Sequence, residues 1–420
     1  MSGAVESCVE MPPAGILVRA LAAFLATATL TGIAGALFLR TLEAVTLWHQ
    51  AQPRLLLLLP LLGLGVWWIY QRFAGIAARG TNLLIEQIHQ PSSGVPFRLA
   101  PLIFFTTLLT HLGGGSAGRE GTAVQMGGGI GGGIASLFKL TPEETRHALL
   151  SGMAAGFGAV FGTPWAGAVF AVECIHPRRP DWRRLPACMA AAWIGHWICI
   201  GCGAVHADYR VALPAPTGPL LGTVSLTWTV GSLAAGIAFG LIARAYVLAG
   251  KSASRGFALI PWAWMRPVAG AALLMLLTLG LGTRAFLGLG ATPMDPGNAS
   301  IATALETSAI PPWAWAAKLA FTVITLSSGF KGGEVTPLFF IGATAGNTLS
   351  PLVGLPVGLG AALGLTAVFA GASRTPVACT LMGMELFGLG HGPYLAIACH
   401  AAWLTAGRNG IYEAQNRPPE

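Results

Sequence analysis

Charged residues are scarce in this sequence. Asp, Glu, Lys and Arg make up 10% of the 420 residues, whereas 54% are hydrophobic. A soluble protein carries roughly 25% charged residues. The scarcity excludes an ordinary soluble enzyme and a disordered chain. The 24 basic residues are spread over the whole length and form no dense patch of the kind that nucleic acids need, so we expect no nucleic-acid partner.

Other features are also missing. No basic stretch precedes the first apolar run, where Glu6 and Glu10 stand instead, so we expect no signal peptide. Cys199 and Cys202 form a Cys-x-x-Cys pair without the second pair of a metal site, which favours inert packing. No motif indicates a nucleotide, a metal or haem, and we expect no cofactor. The apolar runs are too long for the alternating strands of a membrane barrel.

Long apolar runs and 57 glycines are what the sequence does contain, and together they predict a polytopic helical membrane protein. Continuous spans are predicted at 14–39, 54–70, 185–203, 219–248, 265–288 and 312–327. Glycine and proline interrupt three further apolar regions, 99–138, 148–173 and 335–405. We expect an all-α fold with roughly ten to twelve membrane segments, several of them broken. The segments should form one membrane transport domain over 14–405, without a soluble domain.

Two motifs occur twice in the chain. Gly118-Arg119-Glu120-Gly121-Thr122 matches the pattern of residues 332–336, Gly-Gly-Glu-Val-Thr, at an offset of 214. Thr163-Pro164, followed by Glu173, recurs as Thr375-Pro376, followed by Glu385, at an offset of 212. Two motifs in the same order at nearly one offset predict duplicated halves, about 14–203 and 219–412. For Glu173 and Glu385 we expect capping or interface roles.

The basic residues indicate that the halves are inverted. The loop at 176–184 contains four arginines, whereas the matching loop from Glu385 to His391 contains neither Lys nor Arg. Loops with opposite basic content belong on opposite faces of a membrane. The arginine-rich loop should be cytoplasmic, together with Arg72, Arg79, Lys251 and Arg255.

Arg119 and Glu120 are the only charged residues between Leu99 and Phe138. An ionisable residue at membrane depth costs at least about 2.5–3.5 kcal/mol, so it is a candidate for function. The surrounding glycines predict a turn into a helix N-terminus, where backbone N–H groups and the helix dipole attract anions. The alternative is that Glu120 only caps its helix and Arg119 neutralises it.

Glu334 occupies the same kind of turn in the second half. Glycines 329, 332 and 333 precede it, and Pro337 suits the first turn of the helix that follows. The alternative for Glu334 is a salt bridge with Lys331. His111 and Lys318 also lie in apolar stretches. For these two we favour a structural hydrogen bond and a pairing or snorkelling role, respectively.

These motifs resemble those of the CLC family of chloride channels and proton antiporters. Gly118–Gly121 resembles the gating-glutamate motif, Gly332-Gly333-x-x-x-Pro337 the second filter motif, and Thr163–Gly167 with Glu173 a further segment. The resemblance covers about residues 20 to 412. Chloride carriers of the family usually have Pro at the position of Thr122, apolar residues at 334 and 335, and an inner glutamate near Cys174.

The departures resemble the fluoride/proton antiporter branch of the family. That branch carries Glu and Thr in the second filter, as at Glu334 and Thr336, and a late tyrosine, here Tyr412. The first filter motif would match Gly80-Thr81-Asn82-Leu83-Leu84, although the branch often has Met where this chain has Thr81. The chemistry agrees, because dehydrated fluoride needs strong hydrogen-bond donors. Phe340 could offer its positive ring edge to an anion, or could simply pack.

The resemblance implies a CLC-type inverted repeat that works as a homodimer. It implies that the protein exports fluoride in exchange for protons, and so confers fluoride resistance in a bacterial inner membrane. Glu120 and Glu334 would be the gating and proton-carrying residues. The anion-binding residues would be Gly118, Arg119, Gly121, Thr81, Asn82, Val335, Thr336, Phe340 and Tyr412. A chloride/proton antiporter or anion channel of the same fold is the nearest alternative. A polytopic membrane enzyme and a non-transporting scaffold are more distant alternatives.

Overall fold

The computed structural model of the chain describes residues 14–92, 94–206, 209, 213, 225–295, 297–306 and 310–416. Its regular structure in those residues is helical, as the sequence predicts. The α-helices are α1 Ala14–Ala51, α2 Leu59–Ile69, α3 Thr81–His89, α4 Leu99–Leu112, α5 Glu120–Leu137, α6 Pro142–Phe161, α7 Pro164–Glu173, α8 Leu185–Gly201, α9 Leu226–Ala258, α10 Met265–Leu281, α11 Ile301–Glu306, α12 Ala314–Ser327, α13 Val335–Leu349, α14 Val357–Ser373, α15 Pro376–Phe387 and α16 Gly392–Thr405.

Short turns connect several of these helices. A π-turn at Tyr70–Ala74 and a 3-10 turn at Gly75–Arg79 lead from α2 to α3. The other 3-10 turns are Pro53–Leu58, Trp182–Arg184, Ser350–Val353, Leu389–His391 and Glu413–Asn416.

Within the described ranges, three continuous helical stretches are long and apolar enough to cross a membrane: Gly15–Ala51, Pro53–His89 and Leu226–Ala258. The first continues well past the predicted end at residue 39, because a charged residue ends an apolar run without ending a helix. The predicted span 219–248 begins outside the described residues at 219–224. From residue 226 onwards it is helical, and α9 extends ten residues beyond its predicted end.

The interrupted apolar regions are short helices, and the breaks have a local cause. Gly162 ends α6 in the left-handed conformation, with φ of 82°, and Pro164 then begins α7. At the equivalent position of the second half, Arg374 ends α14 with φ of 67° before Pro376 begins α15. A left-handed residue stops a helix, and proline fits the first turn of the next one. The same device therefore breaks both halves.

Glycine allows the helices of each half to approach closely. A Cβ atom on Gly127 of α5 would lie 1.9 Å from the carbonyl oxygen of Gly152 on α6. In the second half, a Cβ atom on Gly342 of α13 would lie 2.0 Å from the carbonyl oxygen of Gly364 on α14. No larger side chain fits such a backbone contact, which explains part of the glycine content.

Two sets of contacts join the halves and show that they are inverted. Gly118 and Gly333 form an antiparallel bridge, in which the Gly118 N–H donates to the Gly333 carbonyl at 2.6 Å and the Gly333 N–H donates to the Gly118 carbonyl at 2.8 Å. The repeated loops thus meet each other directly, immediately before α5 and α13.

The second set is a reciprocal pair of helix caps. The Glu173 carboxylate, at the end of α7, accepts hydrogen bonds from the N–H groups of Val377 (3.0 Å) and Ala378 (2.8 Å) at the start of α15. The Glu385 carboxylate, near the end of α15, accepts from Trp165 (3.2 Å) and Ala166 (2.8 Å) at the start of α7. The two matching helices therefore run antiparallel, and the contacts fit the capping roles expected for both glutamates.

We predict that Glu173→Ala and Glu385→Ala each lower the free energy of unfolding by about 1–3 kcal/mol, since each leaves two helix-terminal N–H groups without their acceptor. The measurement is the thermal unfolding midpoint of the purified protein in detergent. Glu306→Ala, at an exposed position on α11, is the matched control and should keep the wild-type midpoint. Unchanged midpoints in both cap variants would contradict the expected contribution.

We predict that Gly118→Ala opens the bridge between the halves. The new Cβ would lie 2.8 Å from the Thr336 hydroxyl oxygen and 2.9 Å from Cδ of Pro337, and real Cβ atoms do not tolerate such distances. The yield of folded protein and its unfolding midpoint should both fall. Gly65→Ala, where no neighbouring atom lies within 4 Å, should change neither quantity. Wild-type behaviour of Gly118→Ala would mean that the loops can separate without cost.

Candidate anion-binding site

Helix N-termini from both halves meet at the bridge. Glu120 is the first residue of α5 and Val335 the first residue of α13, and each bridged glycine lies two residues before the first residue of its helix. The first N–H groups of a helix have no partner within the helix, and they carry the positive end of its dipole. The meeting of α5 and α13 therefore concentrates hydrogen-bond donors and positive potential at one place, which suits an anion.

The carboxyl group of Glu120 occupies this place. It is fully buried and accepts a hydrogen bond from the Thr336 hydroxyl, 216 residues away in the sequence. It also accepts from the backbone N–H and from Nε of Arg119, each at 3.3 Å. The ion pair between Glu120 and Arg119 agrees with the alternative that Glu120 only caps its helix and Arg119 neutralises it. That alternative does not include the hydrogen bond to Thr336, which joins the two halves. Glu120 thus lies where an anion would receive the same donors.

A cavity of about 200 Å³ adjoins this point. Five of the residues predicted to form the site line it: Thr81, Asn82, Gly121, Glu334 and Tyr412. Thr81 begins α3 after Gly80, whose φ of 55° turns the chain into the helix, so α3 also presents its N-terminus here. The structure therefore brings together residues from the beginning, the middle and the end of the chain.

Glu334 stands at the boundary between this cavity and a second one of about 440 Å³. In the part of the chain that the structure describes, it makes no ion pair with Lys331, whose Nζ lies 4.4 Å from the centre of the Tyr70 ring. The salt-bridge alternative for Glu334 is therefore not what the structure contains. Its carboxyl group is available to whatever occupies the cavities.

Three basic side chains that we had assigned only to one membrane face also line these cavities. Arg79 lines the smaller one, and Lys251 and Arg255 line the larger one. Arg79 is ion-paired with Glu86, so it is the positive charges of Lys251 and Arg255 that attract anions towards Glu334 and Asn82. The motifs did not indicate that these three residues line the cavities, although their shared basic character could have suggested a place near an anion. Tyr246, which also lines the larger cavity, carried no such signal.

Five of the predicted anion-binding residues line neither cavity. Gly118, Arg119 and Thr336 lie at the bridge and around the Glu120 carboxyl group, and the other two, Val335 and Phe340, are buried in α13. Val335 is buried at the first position of α13 and does not line either cavity. Phe340 is fully buried against Phe286, with 6.1 Å between ring centres, and Lys318 Nζ lies 5.3 Å from its ring centre. Because most residues of α13 are apolar, its sequence does not show which face points to the cavity. These contacts fit the packing alternative for Phe340.

Two other buried polar residues support the loops around the site. The His111 ring lies between two carbonyl oxygens, with Nδ1 at 2.8 Å from that of Thr107 and Nε2 at 3.1 Å from that of Ala117, next to Gly118, and its N–H donates to one of them. This fits the structural role expected for it. Lys318 donates from Nζ to the carbonyls of Phe286 (3.1 Å) and Gly288 (2.7 Å), rather than pairing with a carboxylate or snorkelling.

Comparison with known proteins agrees with the fold and the motifs. The family profile described as "Voltage gated chloride channel" matches residues 62–407. The chain is 41% identical over 392 residues to a chloride/fluoride channel protein of Pseudomonas syringae pv. tomato, covering 92% of this chain and 84% of that protein. It is 27% identical over 307 residues to the H+/Cl− exchange transporter ClcA of Vibrio parahaemolyticus, covering 69% of this chain and 62% of that protein.

Solved structures show the same similarity. The crystal structure of a CLC-type fluoride/proton antiporter superposes with a TM-score of 0.87 at 30% identity, covering 96% of this chain and 99% of that one. A slow cyanobacterial Cl−/H+ antiporter gives a TM-score of 0.75 at 20% identity, covering 94% and 95%, and supports the fold alone. The fold, the paired motifs and the matching profile lead to one conclusion: the chain belongs to the CLC family of membrane transport proteins.

Proposed function

We propose that this protein exports fluoride from the cell in exchange for protons and thereby confers fluoride resistance. The observation that carries the proposal is the position of the Glu120 carboxyl group, buried between the N-termini of α5 and α13 and bonded to Thr336. A carboxylate there competes with an anion, and a protonated carboxyl group does not. Competition of this kind couples an anion to a proton.

Fluoride is favoured over chloride by the donors around the cavities. Fluoride is small and strongly hydrated, so a site must replace its water with strong hydrogen-bond donors. Protonated Glu334, the Thr336 hydroxyl, the Tyr412 phenol and helix N–H groups can all donate. The name of one similar protein, the solved fluoride/proton antiporter, supports this choice, whereas the Pseudomonas protein is named for both chloride and fluoride.

The proposed cycle has two proton stops. Glu120 alternates between blocking the anion path as a carboxylate and carrying a proton. Glu334 is the second proton stop and a donor to fluoride. Gly118, Arg119, Gly121, Thr81 and Asn82 shape the path around them. Protons carry positive charge inwards, and exported fluoride carries negative charge outwards. A negative interior favours each movement by about 2.3 kcal/mol per charge per 100 mV.

The proposed setting is the inner membrane of a bacterium, in which the chain is a multi-pass homodimer with one pathway in each subunit. Lys251, Arg255 and the arginine-rich loop at 176–184 would face the cytoplasm. Exposed leucines on the long helices, such as Leu61 and Leu241, give the apolar surface that lipid requires. We propose transport and no enzymatic reaction.

The proposal is tested by reconstituting the purified protein in liposomes and measuring fluoride and chloride efflux with pH recorded in the same vessel. We expect fast fluoride release, opposing proton movement and little chloride flux. Chloride flux as fast as fluoride flux would place the protein with the general anion carriers. Absence of both fluxes from folded protein would refute transport.

We predict that Glu120→Gln abolishes coupled exchange. Glutamine preserves size but cannot carry a proton, so a fluoride gradient should drive no more proton movement than in protein-free liposomes. Glu306→Gln, at an exposed position on α11, should retain wild-type coupling. Uphill proton pumping by Glu120→Gln would show that the assigned role is wrong.

We predict that Glu334→Gln lowers fluoride turnover by about tenfold, the factor that corresponds to ~1.4 kcal/mol in the barrier. Glutamine keeps a donor at the boundary of the two cavities but cannot take up a proton. Initial rates of fluoride efflux from liposomes give the turnover. Wild-type exchange in this variant would reduce Glu334 to a structural residue.

A further inference from the structure

The segment after α16 closes one side of the smaller cavity, and backbone contacts hold it in place. The Ile411 N–H donates to the carbonyl of Ala372 in α14 at 2.9 Å, and the Ala414 N–H donates to Oδ1 of Asn82 in α3 at 3.1 Å. Tyr412 lies between these two anchors and lines the cavity. The position of its phenol therefore depends on how this segment is attached.

Gln415 provides the third anchor, and it does so with a single amide group. Its Nε2 donates to the carbonyls of Cys174 and Ser373, each at 2.9 Å. Cys174 directly follows the last residue of α7, and Ser373 is the last residue of α14. Both carbonyls thus lie at helix C-termini, where the last C=O groups lack partners within the helix and the dipole is negative.

The nitrogen of a primary amide suits this position, although Oε1 of the same group is buried without a hydrogen-bond partner among the described residues. Its nitrogen has two hydrogens, one for each carbonyl, and carries no full charge. Because α7 belongs to the first half of the repeat and α14 to the second, the two bonds bridge the halves through the end of the chain. Gln415 also contacts the cavity-lining residue Tyr412, since its own backbone N–H donates to the carbonyl of Tyr412 at 3.3 Å.

We propose that Gln415 is a positioning residue for fluoride transport: by bridging the ends of α7 and α14, its amide fixes the Tyr412 phenol at the anion cavity. This inference rests on the proposed function, because it assigns Tyr412 a role as donor to the transported anion. Gln415 itself does not line either cavity and acts through Tyr412.

The charged residues beside the bridging residues in the sequence already have partners or are exposed. The Arg374 guanidinium donates to the carbonyl of Trp403. The Glu173 carboxylate accepts from the N-terminus of α15. Glu413, in the same turn, is exposed. A carboxyl group introduced at position 415 would therefore face two carbonyl oxygens, and would fit only while it holds a proton.

The test compares Gln415→Glu with Gln415→Met in the liposome assay, each as a ratio to wild type at the same pH. Gln415→Met preserves length but removes both donors, so its fluoride turnover should be about tenfold lower at every pH. Gln415→Glu should approach wild type at low pH, where the protonated carboxyl group donates one bond, and should lose turnover as the pH rises. Gln52→Glu, at an exposed position in the α1–α2 connection, is the control and should follow wild type throughout.

A double-mutant cycle distinguishes positioning from a purely structural role. If Gln415 acts through Tyr412, Tyr412→Phe combined with Gln415→Met should reduce the ratio of fluoride to chloride flux no further than Tyr412→Phe alone. Independent, additive losses would overturn the positioning role. Wild-type flux ratios in both Gln415 variants at all pH values would overturn it as well.

The thermal unfolding midpoint in detergent tests the bridge without relying on transport. Relative to wild type, the midpoint of Gln415→Glu should fall as the pH rises, whereas that of Gln415→Met should be lowered to the same extent at each pH. A Gln415→Glu midpoint that follows wild type would mean that no bridge joins the two helix ends. If wild type carries no fluoride, the proposed function fails, whereas these midpoints still decide whether the bridge exists.

Discussion

The structure depends on the meeting of two helix N-termini, because two positive helix ends cannot be buried together without negative charge or an anion between them. The reciprocal hydrogen bonds between Gly118 and Gly333 hold the N-termini of α5 and α13 next to each other. The Glu120 carboxyl group supplies an acceptor at this place, with Thr336 as its donor from the other half. An acceptor between the N-termini of α5 and α13 is thus required by the inverted repeat itself, whatever the protein transports.

The remaining contacts between the halves preserve this arrangement. Glu173 and Glu385 satisfy the N-termini of α15 and α7, and Gln415 satisfies carbonyls at the ends of α7 and α14. In each case a polar side chain from one part of the chain pairs with orphan backbone groups of a broken helix in another part. Breaking a helix inside a membrane exposes such groups, and these contacts supply the partners. The broken helices therefore depend on the contacts between the halves.

Local chemistry made much of this predictable from the sequence. Isolated charges in apolar stretches indicated Glu120, glycine turns indicated the helix N-termini, and opposite basic content in matching loops indicated inversion. The partners were not predictable, because Thr336 and Glu120 are 216 residues apart and only the fold brings them together. The orientation of Phe340 was not predictable either, since most residues of α13 are apolar. Gln415 gave no signal because the carbonyls that it bridges belong to the backbone.

The central claim is that fluoride and the ionised Glu120 carboxylate compete for the same donors. Isothermal titration calorimetry of fluoride binding, in buffers of different ionisation enthalpy, tests it most directly by counting the protons taken up. The account predicts uptake of about one proton for each fluoride bound at neutral pH, because the displaced carboxylate must be neutralised. It also predicts that Glu120→Gln binds fluoride without this uptake. Fluoride binding to the wild-type protein with no proton uptake would contradict the account.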